Sequence, residues 1–232
     1  DTLDYSAYPV GVVVDLTAGT ATGTGGVTSL EVVNGTAFPD SIVAGAVAVT
    51  LTGNGGGDFL QGSPEADSIT GNDGDDTIVA GDGADTVSGG AGADLIDTDG
   101  GADIVDAGDG ADTVNAGAGD DVVVGGIDND VIDAGAGADT VDSGAGADFV
   151  NGGDDADLIS TGTENDSVLG GGGNDTIFTD GGVDLIFGEA GDDTIDSGDD
   201  ADAVDGGDNN DSITSGTGDD TVAGGAGNDT IS

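Results

Sequence analysis

The 232-residue sequence contains no lysine, arginine or histidine, and it also lacks cysteine, methionine and tryptophan. Because no basic side chain is present to neutralise a phosphate, nucleic acid is excluded as a partner, and we expect no direct binding to an anionic membrane. Without histidine or lysine as a base, no serine is activated for acyl transfer, so we expect no enzymatic activity. The absence of cysteine fits a secreted protein that does not use disulfides.

Aromatic residues are also scarce, whereas the chain carries 49 acidic residues, 50 glycines and a formal charge of −49. This composition normally indicates disorder, because a sparse core does not offset the chain entropy. The sequence shows no transmembrane run and no signal peptide. It begins with Asp1 rather than Met, which predicts a processed chain or a piece of a longer one.

A strict nine-residue period argues against disorder. Aspartate recurs at every ninth residue without insertion or deletion, and two residues after each of the twenty aspartates stands Ile, Val or Leu. Such a period indicates identical structural units stacked on one another. The pairing of a carboxylate with an aliphatic residue predicts a metal-binding turn followed by a short strand. The twenty candidate metal ligands are Asp58, Asp67, Asp76, Asp85, Asp94, Asp103, Asp112, Asp121, Asp130, Asp139, Asp148, Asp157, Asp166, Asp175, Asp184, Asp193, Asp202, Asp211, Asp220 and Asp229.

One block, residues 89–97, shows which positions are expected to form the turn, the metal site and the strand. Counting from residue 53, positions 2 and 4 of each block are Gly in 14 of 20 copies, and position 6 is the aspartate. Glycine permits tight turns that aim carbonyl oxygens at one point, and these oxygens with a carboxylate suit Ca²⁺ better than Mg²⁺. At position 8, Ile96 is predicted to point inward while Leu95 and Asp97 point outward. Sites near Glu65 and Glu164, which replace Gly at position 4, are expected to be the weakest, because Asn and Asp tolerate the left-handed conformation better than Glu.

These blocks resemble the RTX (repeats-in-toxin) calcium-binding nonapeptide repeats, whose signature is G-G-x-G-x-D-x-U-x, over residues 53–232. The resemblance implies an all-β parallel β-roll with two nonapeptides per turn, in which odd and even blocks form separate sheets. It implies one aspartate column from Asp58 through Asp76 to Asp220, and another from Asp67 through Asp85 to Asp229. It also implies export by type I secretion and folding on contact with external calcium.

Electrostatics supports a calcium-loaded roll independently of the resemblance. Ten aspartates in a column leave nine gaps, so the two columns predict about 18 calcium ions. Their charge of roughly +36 reduces −49 to about −13. Without them, strands ~4.8 Å apart would stack like charges over one another.

Residues 1–52 are predicted to be a degenerate, irregular leader of the same solenoid rather than a separate domain, and residues 53–232 form the regular array. Strands are expected over residues 12–17 and 47–52. Residues 35–43 form a block in frame, with Asp40 at position 6 and Ile42 at position 8, whereas Val49 replaces the next aspartate. Residues 10–40 resemble the irregular repeats that precede regular RTX blocks.

Other functions fit the sequence less well than calcium binding does. Adjacent acids such as Asp75 and Asp76 are interpreted as a solvated acid beside a calcium ligand rather than as a glycosidase pair. An ice-binding ladder is disfavoured because position 3 has no regular order. Calcium buffering at an acidic surface is a third possibility. On the odd sheet, a contact surface is predicted at the outward apolar residues Phe59, Leu95, Val131, Phe149, Leu169, Leu185 and Phe187.

The sequence therefore predicts a secreted, calcium-dependent structural module of a large extracellular or cell-surface protein, such as a filament, surface layer, adhesin stalk or matrix component. The alternative is a secretion and folding module of an exported enzyme or toxin. Self-association is expected through the outward apolar face or end to end, since Ile231 exposes core and Asp1 to Leu3 offers a matching half-turn.

Overall fold

The aliphatic residue two places after each repeat aspartate lies at the centre of a short strand. Positions 7 to 9 of the block form the strand, and β-branched side chains favour this extended conformation. The computed structural model describes residues 1–24, 27 and 30–232, and within these ranges it contains strands and turns but no helix. Over the same ranges there is consequently no helix of the length and apolarity needed to cross a membrane.

Ten strands continue through positions 1 to 3 of the following block and are six residues long, whereas the remaining strands have two or three residues. In chain order the strands are β1 Thr2–Asp4, β2 Val13–Asp15, β3 Thr20–Ala21, β4 Val32–Asn34, β5 Ser41–Val43, β6 Thr50–Gly55, β7 Phe59–Gln61, β8 Ser68–Asp73, β9 Thr77–Val79, β10 Thr86–Ala91, β11 Leu95–Asp97, β12 Ile104–Asp109, β13 Thr113–Asn115, β14 Val122–Ile127, β15 Val131–Ala136, β16 Thr140–Ala145, β17 Phe149–Asp154, β18 Leu158–Ser160, β19 Ser167–Gly172, β20 Thr176–Phe178, β21 Leu185–Ala190, β22 Thr194–Asp196, β23 Ala203–Asp205, β24 Ser212–Thr214, β25 Thr221–Ala223 and β26 Thr230–Ile231.

The strands form two sheets of thirteen, and the chain passes from one sheet to the other at every block. The odd-block sheet runs from β3 and β2 through β5 and β7 to β25, and the even-block sheet runs from β1 through β4 and β6 to β26. From β4 and β5 onward, neighbouring strands are parallel and offset by eighteen residues, so that Ile96 pairs with Ile78 on one side and Val114 on the other. The predicted parallel β-roll with two nonapeptides per turn is confirmed.

The core lies between the two sheets and consists mainly of the position-8 side chains. Ile96 is fully buried, whereas Leu95 is 49 % exposed, as the alternation predicts. Each turn is short enough that glycine is favoured where the backbone passes close to the previous turn with positive φ. Gly90 (φ +120°) and Gly92 (φ +136°) show this, since an added Cβ would collide with the backbone of Asn72 and Gly74.

Strands of the leader continue both sheets. Ile42 is fully buried in β5, which pairs in parallel with β2 and β7. The strand expected over residues 12–17 is β2, and β3 pairs antiparallel with it. The strand expected over residues 47–52 begins at Thr50, because Val49 stands at the place of the repeat aspartate and the chain is still turning there. The irregular-repeat interpretation of residues 10–40 also falls on residues 25, 26, 28 and 29, which lie outside the described residues.

Candidate calcium sites

The repeat aspartates lie in two columns, one at each edge where the chain turns between the sheets. Within a column, the backbone N–H of each aspartate except the last donates a hydrogen bond of 2.7 to 3.2 Å to Oδ1 of the aspartate eighteen residues later. One column therefore joins Asp58, Asp76 and their equivalents through Asp220, and the other joins Asp67, Asp85 and their equivalents through Asp229. The structure brings the candidate ligands together in the order that the sequence predicts.

At Asp94, one carboxylate oxygen and both backbone polar groups are hydrogen-bonded to neighbouring turns. Its N–H donates to Oδ1 of Asp112 (2.8 Å), and its own Oδ1 accepts from the N–H of Asp76 (2.8 Å). Its carbonyl accepts from the N–H of Thr113 (2.9 Å) in the next turn. Each aspartate is thereby fixed to the turn before it and the turn after it.

The second carboxylate oxygen, Oδ2, lacks such hydrogen bonds in most of the repeat aspartates. In seventeen repeat aspartates Oδ2 is buried and has no hydrogen-bond partner. Burying an ionised oxygen without a hydrogen-bond partner destabilises the fold by roughly several kcal/mol, and native proteins rarely contain such an oxygen. These aspartates are Asp58, Asp76, Asp85, Asp94, Asp103, Asp112, Asp121, Asp130, Asp139, Asp148, Asp157, Asp166, Asp175, Asp184, Asp193, Asp202 and Asp211.

Burial also disfavours the charged form of these groups. The seventeen carboxylates are at most 4 % exposed, and burial, reinforced in many of them by the like charges of neighbouring acids, raises the pKa of eight of them to about 6 or 7. The pKa is raised to about 7 in Asp58, Asp94, Asp130 and Asp157. It is raised to about 6 in Asp85, Asp121, Asp166 and Asp193.

This arrangement fits a hard dication. Calcium takes carboxylate and carbonyl oxygens, and a cation beside the orphaned Oδ2 removes the cost of burying the charge. No group of three or more acidic side chains converges anywhere in residues 1–24, 27 and 30–232. The repeat aspartates would therefore hold calcium together with backbone carbonyls of the glycine turns rather than with further carboxylates.

Position 4 behaves as expected from its side chains. Asp128, Asp155, Asp200 and Asn209 adopt positive φ between +74° and +82°. Glu65 and Glu164, where we expected the weakest sites, do not adopt positive φ. The turns of these two blocks therefore differ in backbone conformation from the regular ones.

Two turns that the sequence reasoning missed need no cation to satisfy their aspartate. In residues 62–67, Oδ2 of Asp67 accepts from the N–H of Ser63 (2.6 Å), and Oδ1 accepts from the Ser63 hydroxyl (3.1 Å) and the N–H of Val49 (2.7 Å). In residues 36–40, Thr36 makes the equivalent bonds to Asp40, at 2.6 and 3.1 Å. We call these two segments the closed turns. A hydroxyl residue at position 2, with a proline one to three residues later, is the sequence signal that identifies them.

A second ladder runs along position 5, beside the aspartate columns. Oδ1 of Asp75 accepts from the N–H of Ala93 (3.0 Å), so this acid bonds the next turn rather than only solvent. Asp192, Asn210 and Asn228 extend such a ladder over three turns, with N–H to Oδ1 distances of 2.9 and 3.0 Å. These bonds lower the pKa of Asp192, because the backbone and side chain of Asn210 both donate to it.

The outward apolar side chains are distributed over both sheets. On the odd-block sheet, five of the seven predicted residues are exposed, and Leu169 and Phe187 are half-buried. The even-block sheet carries a second set that the sequence reasoning missed, although these residues occupy the same outward positions 7 and 9. They are Ile104, Val122, Val124, Leu158 and Phe178.

Comparison with known proteins agrees with the geometry. The model of the RTX calcium-binding nonapeptide repeat, four copies long, matches residues 52–87, 79–114, 115–150, 151–186, 169–204, 178–213 and 196–231. No curated protein matches the chain. RTX repeats bind calcium and are typical of secreted proteins. Because the matches together cover residues 52–231 of 232, the chain belongs to the RTX calcium-binding nonapeptide repeat family.

Proposed function

We propose that this chain is a calcium-dependent structural module of an extracellular or cell-surface protein, and that the nineteen repeat aspartates outside the closed turns are its calcium ligands. The observation that carries the proposal is the row of seventeen buried Oδ2 atoms without a partner. The chain has no lysine or arginine to neutralise them, so the cation must come from solution. Binding about 18 calcium ions then supplies much of the folding free energy.

Residues 53–232 act in this proposal as the calcium array, and residues 1–52 act as its leader. The proposal includes no catalytic role, because no serine has a histidine or lysine base and adjacent acids such as Asp75 and Asp76 are interpreted as part of the calcium array. With calcium bound, the thirteen-stranded sheets form a rod about 60 Å long, at ~4.8 Å per strand. Hydrogen bonds between aspartates eighteen residues apart join each turn of the array to the next, which makes the rod stiff.

Self-association through the faces of the rod is supported by its outward side chains. None of the twenty position-7 residues is charged, although the chain carries 49 acids. Exposed apolar side chains lie on both sheets, including Leu95 (49 %) and Ile104 (54 %). We favour the faces over the ends because β3, at the edge of the odd-block sheet, runs antiparallel to β2 and does not continue the parallel stacking.

Circular dichroism and small-angle X-ray scattering of the chain, with calcium and with chelator, test the proposal. We expect a β-rich rod of about 60 Å with calcium and an expanded coil without it. Magnesium at the same concentration serves as the control and should not restore the rod, because it demands rigid six-fold geometry. A chain that stays folded in excess chelator at low salt would contradict calcium dependence.

The structural role is tested separately by sedimentation over a range of protein concentrations in calcium. Side-by-side assemblies that Leu95→Ser and Ile104→Ser weaken would support it. A rod that folds with calcium but remains strictly monomeric at all concentrations would instead favour a secretion and folding module of a type I-exported enzyme or toxin.

A further inference from the structure

The closed turns stand at the head of the two aspartate columns. Asp40 precedes Asp58 in one column, and its N–H donates to Oδ1 of Asp58 (2.8 Å). Asp67 is the first aspartate of the other column, and its N–H donates to Oδ1 of Asp85 (2.7 Å). Each column therefore begins on a carboxylate whose two oxygens are both hydrogen-bonded by the protein.

The closed turns also have a different backbone. Position 2 has positive φ in nineteen of the twenty regular blocks, and Ser63 is the exception. Pro64 explains this difference, because the residue before a proline is restricted to extended conformations. The extended backbone points the N–H of Ser63 at Asp67, whereas in an open turn the equivalent N–H of Gly117 donates to the sheet, to the carbonyl of Ala134 (3.1 Å).

The hydroxyl completes the closed turn in the same way at both places. The Ser63 hydroxyl accepts from the N–H of Glu65 (3.2 Å), and the Thr36 hydroxyl accepts from the N–H of Phe38 (3.0 Å). In the regular array, residues 53–232, Ser63 is the only Ser or Thr at position 2. Two independent turns thus reach the same bonding pattern from different sequences.

Resting on the proposed calcium function, we propose that the closed turns bind no calcium and that they hold the first turns of the solenoid folded without it. Residues 1–67 then form a template on which the remaining blocks fold as calcium binds. The buried leader residues Tyr5, Val33 and Leu51 supply apolar packing for this template. Only five of the 49 acids lie in residues 1–52, so like-charge repulsion in the leader is low.

Hydrogen exchange of the full chain, read by mass spectrometry in chelator and in saturating calcium, tests the template. In chelator, the amides of Val12, Thr36, Val49 and Ser63 should exchange at least ~10-fold more slowly than the amides of Asp94 and Asp130. Exchange that is equally fast along the whole chain in chelator would overturn the inference. If calcium protects no part of residues 68–232, the proposed function fails instead, so the two failures are distinguishable.

A reciprocal exchange of turn sequences tests the closed turn itself. The variant Ser63→Gly, Pro64→Ala, Glu65→Gly gives residues 62–67 the sequence of residues 89–94, and it should bind one additional calcium ion. The variant Gly90→Ser, Ala91→Pro, Gly92→Glu makes the opposite change and should bind fewer. Thr113→Val, on the outer face, is the control. Native mass spectrometry counts the ions, and an unchanged count in the first variant would overturn the inference. If neither variant folds, the exchange experiment on the native chain decides.

Discussion

The turns at residues 62–67 and 89–94 place an aspartate at the same position of the nine-residue block, one in each column, but surround its carboxylate differently. In the first, Ser63 donates through both its N–H and its hydroxyl to Asp67. In the second, Oδ2 of Asp94 is buried without a partner. The comparison teaches that the aspartate alone does not define a calcium site. We infer that the conformation of position 2 determines whether the protein itself hydrogen-bonds both carboxylate oxygens or leaves one for a cation.

The same contrast extends to the regions that contain these turns. The leader has five acids in 52 residues and a varied core that includes Tyr5 and Leu30, whereas residues 53–232 carry 44 acids and a core of uniform aliphatic columns. In the proposal, the varied core with few charges folds without a cation, while the stacked carboxylates require one. Removal of calcium is therefore the strongest way to separate the two regions.

Calcium removal should have the largest effect. Each site saturated at 100 times its Kd contributes about 2.7 kcal/mol, so the loss of many sites exceeds the stability of a typical domain. We expect chelator to abolish most of the β signal in circular dichroism and to leave a residual signal from residues 1–67. If the chain keeps its full β signal in chelator, the two regions do not differ in their need for calcium.

The pH should have the next largest effect, and only on the metal-free chain. Burial raises the pKa of Asp94 and Asp130 from the ordinary 3.8 to about 7. Because the folded pKa lies above the unfolded one, these groups favour the fold below pH ~4, and this contribution is lost as the pH rises through about 7. We expect a calcium-free chain to gain β structure between pH 8 and pH 4.5.

Circular dichroism in chelator at both pH values checks this, with sedimentation to exclude aggregation near the pI of about 4.1. With calcium bound, the β structure should instead be more stable at pH 8 than at pH 4.5, because the calcium ligands must be deprotonated. A metal-free array that is equally unfolded at pH 8 and pH 4.5 would show that the buried carboxylates are not what prevents folding.

Much of the fold follows from the sequence, because the nine-residue period fixes the strand, the sheet and the column of every block. Ile96 is buried and Leu95 is exposed because their spacing from Asp94 determines the face on which each lies. The closed turns do not follow from the aspartate period, because they depend on a hydroxyl residue at position 2 and on the backbone conformation that points its N–H at the aspartate. The strand at Thr50 was misplaced because the apolar residues 47–49 resemble a strand and lie in a turn.

Within the array, substitutions that test the register of the columns should have a smaller and more local effect. Asp139 is buried with an unpaired Oδ2, whereas Asp142 lies exposed on the outer face of β16. Asp139→Ala should lose about one or two calcium ions and raise the calcium midpoint, because its carboxylate faces the turns on both sides. Asp142→Ala should change the stability by less than ~0.5 kcal/mol. Calcium titration followed by circular dichroism compares the two, and equal effects would show that the register is wrong.

The position-5 ladder should give the smallest effect, and it separates calcium-driven from hydrogen-bonded stacking. Asn210 donates its N–H to Oδ1 of Asp192 (2.9 Å) and accepts from the N–H of Asn228 (3.0 Å), all at the exposed edge of the roll. Asn210→Ala keeps the backbone bond to Asp192 but removes the side-chain donor to Asp192 and the side-chain acceptor for Asn228. The calcium midpoint should rise about two- to fivefold, which corresponds to a hydrogen bond worth ~0.5–1 kcal/mol. Ser212→Ala, on the outer face of β24, is the control and should leave the midpoint unchanged. A shift as large as that of Asp139→Ala would mean that the ladder itself contributes to calcium binding.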